Sequence, residues 1–168
     1  MISQLKQIYE LERFQINYYM SQLSTTEDTV LNKALIKIIE TEKKHIDFFT
    51  QRFTEAGIDI SKISTTIANL AGSIIGESVE LTGPINICRI GVALEGKALN
   101  AYYDLIENNH VDSDLLEILI DFQLDKEFQM LWLQHYAGHL KNNSSRKNKI
   151  LNDSLEEHPT VNINMRWI

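Results

Sequence analysis

Proline occurs only at Pro84 and Pro159, and for most of the first 140 residues apolar side chains recur every three or four positions. That spacing gathers side chains on one face of an α-helix and does not fit the two-residue period of a strand. It predicts a helix from about Ser3 to Leu23, with Leu5, Ile8, Leu11, Phe14, Met20 and Leu23 on its apolar side. Ser24, Thr25 and Thr26 then form a polar turn and start signal before Glu27. A second helix follows to about Ala56, carrying Val30, Leu31, Leu35, Ile38, Ile39, His45, Ile46, Phe49 and Phe53. Gly57 ends it, as expected where the chain leaves a helix with positive φ.

A linker rich in Ser and Thr covers 58–66, and a less regular short helix is expected over 67–82, where Ala71, Gly72, Ser73 and Gly76 permit close packing. Gly83 and Pro84 separate it from a third long helix reaching about Asn108. Asp112 or Ser113 can cap a fourth, reaching about Leu140. Four long amphipathic helices predict an all-α four-helix bundle over residues 1–141, with an additional short helical segment between the second and third. Residues 142–168 read as a polar, Asn-rich tail with a late apolar patch at Met165, Trp167 and Ile168.

A chain of 168 residues suffices for one sizeable core. Sixteen Lys and Arg against 23 Asp and Glu give a formal charge of -7, which argues against a nucleic-acid partner needing a basic stripe. A single cysteine, Cys88, rules out an intrachain disulfide framework and is expected to be a small buried apolar residue. No charged segment followed by an apolar run opens the chain, so a cytoplasmic location is expected. The most apolar stretch, Ile67 to Leu94, is interrupted by Glu77, Glu80, Arg89 and Gly83-Pro84, and so fails as a transmembrane span. It leaves room for peripheral contact with a membrane or an apolar ligand.

Each long helix offers one carboxylate set among apolar neighbours: Glu12, Glu42, Glu95 and Glu127. Glu42 and His45 lie three residues apart on one helical face. Tyr19 and Tyr102 follow Glu12 and Glu95 by seven residues, two turns on, where a hydroxyl can hold a ligand carboxylate. Carboxylates gathered in a low-dielectric core repel one another and resist ionisation. Two divalent ions relieve that conflict, and carboxylates with a neutral imidazole suit iron or manganese. Taken singly, the same residues also read as solvated rim glutamates, a buried histidine and core-edge tyrosines.

These motifs together resemble the ferritin-like di-iron carboxylate superfamily, and within it the demethoxyubiquinone hydroxylase family. The resemblance spans roughly residues 8–140 and is carried by Glu12 through Tyr19, Glu42-Lys43-Lys44-His45, the Leu70–Gly76 stretch, Val92 through Tyr103 and Phe122 through Glu127. The step of thirty residues from Glu12 to Glu42 is also similar. It implies two irons, the first held by Glu12, Glu42 and His45 and the second by Glu95 and Glu127, that activate O₂ to oxidise or hydroxylate an apolar, quinone-like substrate. Electrons would come from an external donor, since the chain has no nucleotide-binding glycine motif and no cysteine cluster. Two departures stand out: Met130 replaces the histidine of a Glu-x-x-His motif on the last helix, and Ala101 precedes Tyr102 where the family tends to have histidine. Ferritin-like iron oxidation or storage, and a metal-free bundle acting as a binding partner, are the alternative functions. A homodimer is compatible with either enzyme or binding role.

Overall fold

The computed structural model describes residues 1–60 and 83–150, and the described residues form an all-α four-helix bundle. The helices are α1 (Ile2–Leu23), α2 (Thr29–Glu55), α3 (Pro84–Glu107) and α4 (Ser113–Ile150). The short helix expected over 67–82 lies outside the described residues, as does the tail beyond Ile150.

Local chemistry accounts for most of the boundaries. The Asp28 carboxylate accepts from the amides of Val30 and Leu31, so Asp28, rather than the preceding Ser-Thr run, caps α2. Asp112 caps α4 in the same way through the Leu115 amide. Gly57 has φ 67° just beyond α2, and Gly83 has φ 105° before Pro84 opens α3, backbone positions where a side chain would be strained. The last helix departs from expectation by running on past Leu140 to Ile150. Once nucleated, a helix extends at small cost even through residues of modest propensity.

Cross-helix hydrogen bonds fix the topology. Gln4 near the start of α1 donates to the Asp104 carbonyl near the end of α3, and Tyr18 near the end of α1 donates to the Ile87 carbonyl near the start of α3. These two helices are therefore antiparallel. Tyr136 of α4 donates to the Asp28 carboxylate, tying the far part of α4 to the head of α2. The order is up, down, down, up, so the chain leaves α2 at one end of the bundle and enters α3 at the other.

Two apolar clusters fill the interior. One contains Tyr18, Leu31, Leu35, Ile38, Ile87, Cys88, Leu94 and Leu133. The other contains Ile8, Phe49, Phe53, Tyr102, Leu105, Leu115 and Leu119. Cys88 is buried, as its composition predicts. Met20 and Val30, expected on apolar faces, are half exposed instead. Each fully buried Leu, Ile or Phe stabilises the fold by roughly 1.5–3 kcal/mol. A thin polar layer lies between the two clusters. No helix among the described residues is long and apolar enough to cross a membrane.

Candidate metal centre

The polar layer consists of buried Glu12 and Gln15 from α1, Glu42 and His45 from α2, Glu95 from α3, and Lys126 and Gln129 from α4. Glu12, Glu42, Glu95 and Lys126 are each 0% exposed, so none of these four charges reaches bulk solvent. Glu12, Glu42 and His45 bring one ligand atom each to within 4.8 Å of one another, a buried acidic and histidine cluster that can hold a metal ion.

Its electrostatics are set by burial and by one cation. The Lys126 ammonium donates to Glu42 and, over 3.1 Å, to the Gln15 amide oxygen, and lies 3.5 Å from both Glu12 and Glu95. Burial works against its charge, yet Glu42, Glu95 and Glu12 raise its pKa above the ordinary lysine range. Burial also opposes ionisation of Glu12, but Lys126, His45 and Tyr102 outweigh it and lower its pKa. Glu42 behaves differently despite the closest contact with Lys126. Burial, together with the neighbouring Glu95 and Glu12 charges, overcomes the ammonium and lifts its carboxyl to about 7. Burial raises Glu95 as well, against the opposing pull of Lys126 and Tyr19.

His45 stacks on Phe122 with ring centroids 3.8 Å apart. Its Nδ1 lies 3.2 Å from Glu12 Oε1 and its Nε2 lies 3.2 Å from Asp125 Oδ2. Burial lowers its pKa, but the contacts with Asp125 and Glu12 prevail and raise it to about 9. A neutral His45 can donate from Nε2 to Asp125 and present Nδ1 to a metal, the arrangement by which outer carboxylates orient ligating histidines.

The two tyrosines cross between antiparallel helices. Tyr19 on α1 donates to Glu95 on α3, and Tyr102 on α3 donates to Glu12 on α1 over 2.5 Å. Burial and the adjacent carboxylates raise both phenols well above their ordinary pKa, so they remain protonated donors. Gly91 makes room for this crossing: a Cβ there would lie 3.2 Å from the Tyr19 hydroxyl and 2.8 Å from Leu133 Cδ1.

A buried, partly unsatisfied donor set is what a cation site requires, and the observed atoms meet that test for one ion. Glu12 Oε2, Glu42 Oε1 and Glu95 Oε2 are buried without a hydrogen-bond partner. Glu12 and Glu42 thus keep free oxygens beside His45.

Of the residues expected at the centre, Glu12, Glu42, His45, Glu95, Tyr19 and Tyr102 are brought together, and Glu127 is not. Glu127 is only partly buried, and the flanking Leu124 and Leu131 are 44% and 40% exposed, on the outward side of α4. Lys126, about 100° round the helix, takes the inward position. Lys126 and Asp125 are the participants that the carboxylate pattern passes over. A signal for Lys126 is nevertheless present, because Leu115, Leu119, Phe122, Lys126, Gln129 and Leu133 repeat at steps of four, three, four, three and four. Residue 126 falls on that stripe and residue 127 does not.

Two surface cavities lie away from the polar layer. One of about 250 Å³ is lined by residues including Ile85, Arg89 and Gly138, and one of about 320 Å³ by residues including Gln4, Lys97 and Asp104. Fold and site together define a four-helix bundle with a buried carboxylate and histidine cluster, consistent with a ferritin-like metal-binding fold. Comparison with family models, with curated proteins and with solved structures gives no match.

Proposed function

We propose that this chain is a metal-dependent oxidoreductase in which Glu12, Glu42 and His45 hold an iron or manganese ion, with an apolar, quinone-like molecule as substrate. The observation that carries this reading is the buried triad, with free oxygens on Glu12 and Glu42 beside an imidazole. The substrate class and the use of O₂ come from the motif resemblance alone. When bound, such an ion supplies redox chemistry with O₂.

The chain's own residues have separable duties. Asp125 fixes which nitrogen of His45 carries the proton. Tyr102 and Tyr19 hold Glu12 and Glu95 in place and keep their own protons. The apolar clusters on either side exclude water and so strengthen every charge interaction between them.

Elemental analysis of protein purified without chelator tests the first requirement, and is expected to find iron or manganese. Anaerobic loading with Fe(II), followed by air and a short-chain quinol, is then expected to give an oxidised product and faster O₂ uptake. Well under one equivalent of metal, with no thermal shift on adding Fe(II) or Mn(II), would overturn the proposal.

A second reading, a metal-free bundle serving as a binding partner, is favoured by one specific observation. Lys126 and a protonated His45 between them already contact Glu12, Glu42, Glu95 and Asp125. The same metal analysis separates the two.

A further inference from the structure

The cluster that can hold an ion is built from α1 and α2, while α3 contributes Glu95 and α4 the Lys126 ammonium. We propose that Lys126 is a tethered cation standing in place of a second metal, so that the centre is built for one divalent ion per chain. This rests on the metal-binding reading above and limits its stoichiometry.

Position is the first support. Lys126 is the α4 residue on which the other three helices converge, through Glu12 and Gln15 of α1, Glu42 of α2 and Glu95 of α3. A second metal ion would need these same oxygens. An ammonium offers three donors in an adjustable geometry, which suits a set of carboxylates and one amide oxygen.

Ligand supply is the second. The carboxylate expected from α4 is Glu127, and it lies outside the layer. One turn beyond Lys126, the inward position holds Gln129, whose buried amide oxygen has no hydrogen-bond partner, rather than a histidine. Neither inward residue of α4 supplies an anionic or imidazole ligand.

Charge is the third. Glu12, Glu42 and Glu95 ionised, together with Lys126, leave two negative charges when His45 is neutral. One divalent ion cancels them. Two would leave a net positive charge in a buried layer, at a cost of several kcal/mol.

The test is a titration of the chelator-treated full chain with Mn(II), read by metal content after desalting and by electron paramagnetic resonance. The expected result is one equivalent per chain, with the spectrum of an isolated ion. Lys126→Glu, which removes the ammonium and supplies the carboxylate that α4 otherwise lacks, is expected to take up a second equivalent and to show the broadened spectrum of a coupled pair.

Two equivalents in the unmodified chain overturn the inference while leaving metal binding intact. None at all overturns the metal-binding reading and the inference with it. One equivalent in both proteins also overturns the inference, since Lys126 would then not be what excludes the second ion. Should Lys126→Glu fail to fold, the spectrum of the unmodified chain still decides between one ion and two.

Discussion

On the α1 and α2 side of the polar layer, Glu12 and Glu42 converge with a histidine; on the α3 and α4 side, Glu95 accepts from Tyr19, and the Lys126 ammonium reaches across to all three carboxylates. Both sides are equally buried, and both answer the same problem of negative charge in a medium that cannot solvate it. The first has the ligand atoms for a bound ion. The second carries a counter-charge on the chain, which Glu42 and Glu12 share with Glu95. The difference turns on a single residue of helical register, Lys126 against Glu127.

The largest expected effect breaks the built-in half. Lys126→Ala in chelator-treated protein leaves three carboxylates buried without their shared cation, and is expected to cost about 3–5 kcal/mol in urea unfolding. A loss below about 1 kcal/mol would mean that the carboxylates find other relief.

Next comes pH, which acts on the other half. His45 has a folded pKa of about 9, above its unfolded value near 6.5, so its contribution is fully present below pH 6.5 and is lost as pH rises through 9. Glu42, raised from 4.5 to about 7, has the same sign, but its loss falls between those two values and is nearly complete where that of His45 begins. Metal-free protein is therefore expected to lose roughly 3 kcal/mol between pH 6.5 and 9. His45→Gln should flatten most of that slope in denaturation curves across this range. A flat profile over this range would show that His45 is neutral in the metal-free fold.

Asp125→Asn removes the outer carboxylate of His45 and is expected to weaken Mn(II) binding by about tenfold, and to reduce the pH slope of the metal-free protein, since Asp125 is the contact that most raises His45. Unchanged affinity would place Asp125 outside the working site. The smallest effect sharpens the register itself: Glu127→Gln should leave metal content unaltered and shift stability by no more than about 0.5 kcal/mol. A lost equivalent of metal in that variant would return Glu127 to the centre.

Much of the architecture is legible in the chain. The four helices begin and end within a few residues of the positions that apolar spacing, Gly57, Pro84 and Asp112 indicate, except for the longer run of α4. These are local effects, decided by residues within a turn or two of one another. Glu12, Glu42, His45 and Glu95 are legible as a set for a related reason, since each interrupts a helical face that is otherwise apolar. Lys126 was hidden by its chemistry, because a lysine within Asp125-Lys126-Glu127 looks like one more solvated charge until the stripe through Leu119, Phe122 and Leu133 is followed across it.

By itself the sequence determined the helical class, the approximate helix ends and the presence of more inward carboxylates than a core tolerates unaided, because periodicity and charge are properties of the chain alone. Only the tertiary structure decided which cation answers them: the ammonium's place depends on how α4 is rotated against three other helices. A rotation of about 100° exchanges an acid for a base at the same depth, and the observed rotation buries Leu115, Leu119 and Leu133 together with Lys126.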